Sequence, residues 1–156
     1  MEIFQAYSKD YDIFYHSASV NKPLDVHTPY TYWVVLNLFN DCCFYIKEND
    51  EIIGTIMCVK NNKKIFIWQI AVMEKYRKKG YSHKLYDCVF NYAKNNNYRK
   101  ICLSINPQNE NSYYAIQKYC LKHNYSFIKS GNVDINLPQI NFEEFEDIFE
   151  INIANG

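Results

Sequence analysis

One stretch constrains the fold of this 156-residue chain more than any other: residues 65–82, I-F-I-W-Q-I-A-V-M-E-K-Y-R-K-K-G-Y-S. An apolar run of strand length, interrupted only by Gln69, comes first, then a basic turn containing one glycine, then a segment with helical periodicity. Tyr81, Leu85, Cys88, Val89 and Tyr92 recur at three- and four-residue steps, which predicts a helix over residues 79–95 with one buried face. A strand that opens into a helix N-terminus through such a turn makes an anion cradle. The first-turn N–H groups have no intrahelical partner there, and the helix dipole favours negative charge. Arg77, Lys78 and Lys79 add positive charge, and Gly80 lets a ligand approach the backbone closely. Such a site suits a pyrophosphate.

The length predicts a single domain over residues 1–156 with one well-buried core. Seventeen basic and 17 acidic residues cancel, which argues against a nucleic-acid partner held by phosphate neutralisation. The apolar runs at 33–39 and 65–72 are too short to span a bilayer, and no signal-like run stands at the N-terminus. The expectation is a soluble cytoplasmic protein without a membrane partner. The six cysteines form no C-x-x-C pair and the four histidines are scattered, so neither a metal site nor a disulfide framework is predicted.

The rest of the chain reads as a first strand at 2–7, a weak helical segment after Ser8 and an irregular stretch at 21–28. Thr28 then serves as N-cap, with Pro29 in the first turn of a helix running towards residue 40. A hairpin follows at 42–47 and 51–60, then the strand at 65–72, the helix at 79–95 and a strand at 101–105. A helix at 109–123, a strand at 125–129 and a half-exposed last strand at 147–153 complete an α/β plan, a mixed central sheet flanked by helices. The alternating last strand offers an exposed edge, from which a homodimer is expected.

The hexapeptide R-K-K-G-Y-S at 77–82 resembles the R-x-x-G-x-G/A signature of the GNAT superfamily of N-acetyltransferases, with Ser82 where that family has Gly or Ala. Three further segments are similar to one branch of it, the L-2,4-diaminobutyrate acetyltransferases of ectoine biosynthesis. P-L-D-V-H-T at 23–28, followed by Tyr30 and Tyr32, resembles P-L-D-x-N-S-x-Y-x-Y. The strand I-F-I-W-Q-I-A-V resembles L-F-V-W-Q-V-A-V, and S-I-N-P-Q-N-E-N-S at 104–112 resembles T-V-T-P-D-N-x-x-S. His27 and Thr28 replace the branch's Asn-Ser.

The resemblance implies the GNAT acyl-CoA N-acyltransferase fold and acetyl-CoA as acyl donor. The turn from Arg77, Lys78, Lys79 and Gly80 to Tyr81 and Ser82 would hold the pyrophosphate. Backbone groups of Ile70, Ala71 and Val72 would pair with the pantetheine arm. Asn109 would contact that arm, a role compatible with a plain helix N-cap. Asp25, His27, Thr28, Tyr30, Tyr32, Trp68 and Gln69 would line the pocket for a small-molecule amine, with Asp25 on the substrate ammonium or else capping the helix at Thr28. By strand alternation Trp68 and Gln69 are expected on opposite faces. The family's tyrosine acid falls at Ile116, which has no proton to give, leaving Tyr119 as a candidate acid or a packing residue. His27 reads as a base or a surface residue. The acidic tail (Glu143, Glu144, Glu146, Asp147, Glu150) reads as a second ammonium contact or a solvated face. The implied activity is acetylation of a small primary amine, L-2,4-diaminobutyrate at N4, by direct transfer in a ternary complex. Its rivals are the same chemistry on a polyamine, aminoglycoside, peptide or protein amine, and a non-catalytic acetyl-CoA-binding module.

Overall fold

The computed structural model describes residues 1–22 and 24–153; Pro23, which opens the P-L-D-V segment, lies outside them. In chain order the elements are β1 (Glu2–Gln5), α1 (Tyr11–Val20), α2 (Pro29–Leu38), β2 (Phe44–Glu48), β3 (Glu51–Lys60) and β4 (Lys64–Val72). They continue with α3 (Tyr81–Asn95), β5 (Lys100–Ile105), α4 (Glu110–Lys122), β6 (Ser126–Leu137) and β7 (Phe142–Asn152). The strands form one sheet in the order β1-β2-β3-β4-β5-β7-β6. Neighbours are antiparallel except β4 and β5, which run parallel.

Local chemistry accounts for most boundaries. Thr28 caps α2 by accepting from Thr31 N, with Pro29 in the first turn. Asn49 and Asp50, both at positive φ, make the two-residue turn between β2 and β3. Asn97 and Asn124, also at positive φ, stop the chain after α3 and α4.

The sheet is covered on both faces. On β3, Met57 packs with α1 and α2, against Phe14, Ala18, Tyr32, Val35 and Leu36. Its neighbours Ile56 and Cys58 point the other way and join α3 and α4, through Leu85, Tyr86, Val89, Phe90 and Ile116. Each such fully buried side chain contributes about 1.5–3 kcal/mol. All six cysteines are free thiols, most of them buried in this way.

The end of the chain differs from the sequence-based expectation. β6 runs on to Leu137, turns through Pro138–Ile140 and Asn141, and returns as β7 from Phe142. Val133, Ile135 and Leu137 alternate with polar Asn132, Asp134 and Asn136, a strand signal that the expected boundaries leave out. β5 pairs with β7 only from Asp147 onward, so the first part of β7 is held by β6 alone.

β4 and β5 pair only from Lys64↔Lys100 to Ile67↔Leu103. Beyond that point β4 keeps its ladder with β3, β5 keeps its ladder with β7, and the two strands part. β4 also carries a bulge: Ile67 pairs with Cys58 and Gln69 with Met57, so Trp68 is the extra residue. The ladder next to this opening is tight at Gly54, where an added Cβ would lie 2.8 Å from the Ala71 carbonyl oxygen and 3.2 Å from Leu85 Cδ1. Gly54→Ala is expected to destabilise the protein by about 1–3 kcal/mol, since backbone on one side cannot yield as a side chain would. A urea-unfolding midpoint no lower than that of the wild type would show that β4 shifts at no cost.

Candidate active site

The anion cradle forms where β4 hands the chain to α3. A short 3-10 turn, Glu74–Tyr76, leads into Lys78 at φ 61 and then Gly80 at φ 84, the N-cap of α3. Gly80 brings no capping side chain, so the first-turn amides of α3 stay available to an anion. Two left-handed residues so close together cup the backbone in the manner of an anion-binding nest. Lys79 lies 5.6 Å above the Tyr76 ring, and Tyr81 meets that ring edge-on at 5.9 Å. Tyr76 is itself anchored, donating to Glu51 Oε2 at 2.8 Å.

Arg77 holds the architecture. Its Nε donates to Val72 O at 3.1 Å and its second guanidinium nitrogen to Asn21 Oδ1 at 3.0 Å, tying the end of β4 to the end of α1. These bonds use only part of the guanidinium's donor set, so Arg77 can still face an anion together with Lys78, Lys79 and the amides. Ile70, Ala71 and Val72 lie on the stretch of β4 that β5 has left. Their open edge can pair with an extended ligand. Ser82 stands in the first turn of α3, as the spacing requires. Asn109 is the N-cap of α4, accepting from Ser112 N at 3.3 Å.

The other half of the site gathers on the α1–α2 face. The bulge at Trp68 overturns the expectation that Trp68 and Gln69 point apart. Gln69 accepts from the Tyr32 hydroxyl at 2.9 Å and donates to Asp25 O at 2.5 Å. Trp68 packs on His27, ring centroids 5.3 Å apart. Both side chains therefore reach the segment before α2, because the extra residue breaks strict alternation.

Several of the expected substrate contacts have partners within the protein. Tyr32 is fully buried and acts as a strut, its hydroxyl donating to Gln69 and accepting from His27 N at 3.3 Å. Burial raises its pKa, with bonds to His27 and Gln69 opposing. Thr28 spends its hydroxyl on the α2 cap. Tyr30 is 71% exposed and stacks on Trp33 at 6.2 Å, on the side of α2 away from Tyr32. Tyr119 is not placed as an acid. Its ring lies in the core between α3 and α4, and its hydroxyl donates to Asp87 Oδ1 at 2.7 Å. Burial first, and then the Asp87 carboxylate, push its pKa up. Ile116, in the family's tyrosine position, is wholly buried.

One carboxylate stands out from the acidic tail. Glu146, on the part of β7 held by β6 alone, has its Oε2 buried without a hydrogen-bond partner. Burial pushes its pKa up to about 7, helped by Glu144 and by the charges of Asp25 and Asp147. Glu144 and Glu146 stand two residues apart and share a face of the strand. The structure thus brings Asp25, His27, Trp68 and Gln69 together, and the charge of Asp25 reaches Glu146. That E-x-E spacing beside apolar residues was the available signal; its partnership with Asp25 depends on tertiary structure. Among the described residues no group of three or more His, Cys, Asp or Glu side chains could hold a metal ion, and no helix is long and apolar enough to cross a membrane.

A model of the acetyltransferase (GNAT) family matches residues 2–120. An L-2,4-diaminobutyric acid acetyltransferase of Halalkalibacterium halodurans is 29% identical over 109 residues, 67% of this chain and 58% of that protein. One from Chromohalobacter salexigens is 35% identical over 95 residues, 58% of this chain and 50% of that protein. The match thus spans between half and two thirds of these curated relatives. Among solved structures, the diaminobutyrate acetyltransferase of Paenibacillus lautus, in complex with L-2,4-diaminobutyric acid and coenzyme A, superposes with a TM-score of 0.88 at 21% identity, covering 99% of this chain and 96% of that one. The ribosomal-protein-S18-alanine N-acetyltransferase of Escherichia coli superposes with a TM-score of 0.81 at 13% identity, covering 99% and 95%. At these identities the superpositions speak for the fold.

Because Glu146 holds its proton more tightly when folded, its contribution to stability is full below the ordinary 4.5 and is lost as pH rises through about 7. Glu146→Gln removes that loss. The variant is expected to match the wild type in acid and to melt at a higher temperature at pH 8, with the gap opening between these limits. Parallel melting curves across the range would exclude the perturbed carboxyl.

Proposed function

Since the chain belongs to the acetyltransferase (GNAT) family, we propose that it transfers the acetyl group of acetyl-CoA to a small primary amine carrying two positive charges, N4 of L-2,4-diaminobutyrate. The observation that carries this reading is the Glu146 carboxyl, with one oxygen buried without a partner, which feels the charges of Glu144 and of Asp25, the residue whose backbone oxygen Gln69 holds. Two ammonium groups on one small molecule answer such carboxylates, and the relatives named for L-2,4-diaminobutyric acid point the same way.

Acetyl-CoA supplies a thioester whose carbonyl carbon the amine attacks directly. The uncapped amides of α3, with Lys78 and Lys79, suit its pyrophosphate, and the free edge of β4 suits its amide-bearing arm. A backbone N–H on that edge can polarise the carbonyl oxygen as negative charge develops there. The amine must first lose a proton, which costs about 4–5 kcal/mol at pH 7 for a lysine-like group. Glu146, titrating at about 7, is matched to take it. Asp25 holds the substrate's second cation. With Ile116 in the tyrosine position, the thiol leaves unaided, tolerable for a pKa near the ~8.5 of cysteine. The last strand, β7, is not the edge expected of it, since it lies between β5 and β6; the homodimer proposed here would instead use the free edge of β6.

Purified protein with acetyl-CoA is tested against L-2,4-diaminobutyrate, a polyamine, an aminoglycoside and a peptide N-terminus by release of free thiol. L-2,4-diaminobutyrate is expected to react fastest, with kcat/KM rising through a pH of about 7 as Glu146 ionises. Glu146→Gln is expected to lower kcat/KM by about 100-fold and remove that pH step, the usual weight of a general base. Preference for another amine would sink the narrow assignment, and no thiol release with any amine would sink catalysis.

A further inference from the structure

The cradle at the start of α3 continues into a second cationic feature. His83 follows Ser82 in the first turn of α3, and its ring meets Tyr119 of α4 edge-on at 5.5 Å. Lys118 and Lys122 stand one helical turn apart on α4, next to Tyr119, and the charges of both reach His83. Both are exposed. The lysines that form ion pairs are Lys47, Lys60, Lys64, Lys75, Lys100 and Lys129. Among the described residues, Lys78, Lys79, Lys118 and Lys122 pair with no carboxylate. Asp87 of α3 accepts from the Tyr119 hydroxyl at 2.7 Å and faces His123 Nε2 at 3.9 Å. The last turns of α4 thus bring two lysines without ion pairs near the start of α3, with Asp87 the carboxylate between the helices.

We propose that Lys118 and Lys122 bind the 3′-phosphate of the coenzyme's adenosine in the groove between α3 and α4. This rests on the acetyl-CoA reading above. Coenzyme A carries two separate phosphate groups: the pyrophosphate, which suits helix amides and a backbone nest, and a 3′-phosphomonoester one ribose away. A phosphomonoester holds a charge of about −1.5 to −2 at pH 7 and offers three acceptor oxygens, for which two flexible ammonium groups are apt partners. His83 follows the cradle directly and touches Tyr119 of α4. Burial lowers its pKa, and the charges of Lys122 and Lys118 lower it further, against the opposing pull of Asp87. The ring therefore already senses the cationic field that would receive the phosphate.

The test is equilibrium binding of coenzyme A and of 3′-dephospho-coenzyme A to the wild type and to a Lys118→Met, Lys122→Met double variant. Methionine keeps the length and apolar stem at exposed positions, and a melting curve confirms that the variant is folded. The wild type is expected to bind coenzyme A about tenfold or more tightly than the dephospho form, the scale of one charge-assisted contact. The double variant is expected to lose most of that preference while binding the dephospho form as before. A wild type without preference, or a variant that keeps it, overturns the subsite and leaves the cofactor reading standing. If the wild type binds neither ligand, the cofactor reading itself fails.

Discussion

The parting of β4 from β5 beyond Ile67 and Leu103 is the constraint on which the rest of the structure depends. A strand edge without a partner leaves N–H and C=O groups that must bond to water or to a ligand. Here that edge is created mid-sheet by two neighbours that each keep a firm ladder on their far side, β3 on one and β7 on the other. The opening is therefore rigid, and its walls are set by core packing on both faces. The bulge at Trp68 falls where the strands separate, and it turns two successive side chains towards the α2 side while Ile70 and Val72 still pack against the opposite core. One strand thus serves both halves of the site: its edge faces the expected cofactor and its bulged residues face the expected acceptor.

The sequence was most legible where one local rule decided the outcome. The apolar run, the basic turn and the periodic segment of residues 65–95 became β4, the cradle and α3. Thr28-Pro29 became a helix start because a side-chain oxygen and a preset φ act over a single turn. Alternation failed at Trp68, since a bulge depends on the register with β3 and leaves no trace in spacing. Tyr119 and Tyr32 illustrate another limit. A phenol in an apolar pattern can present its hydroxyl to a ligand or bury it in a polar bond, and only the partners Asp87 and Gln69 decide. The importance of Glu146 was hidden for the same reason, because its environment is assembled from Glu144 beside it and Asp25 over a hundred positions earlier in the chain.

The two halves of the site differ in how they treat charge. The cradle meets an anion with backbone dipoles and mobile lysines, which need little rearrangement and lose little when empty. The acceptor side gathers like charges near one another and leaves a carboxyl oxygen buried without a partner, an arrangement with a standing cost in the free protein. A cation arriving there would relieve part of that cost. Placing Glu144 and Glu146 on the part of β7 supported only by β6 leaves that strand some room to adjust.

Arg77 carries a lesson for how such motifs are read. Its guanidinium bridges the last carbonyl of β4 and the side chain that ends α1, joining the sheet to the helix layer packed on it. Bridging two acceptors in different directions takes a planar, many-donor group, and a lysine in the same place could satisfy one of them at a time. The arginine of a ligand-binding signature is thus a keystone as well as a charge. A distant relative could lose the ligand entirely and still need that residue to keep its two layers in register.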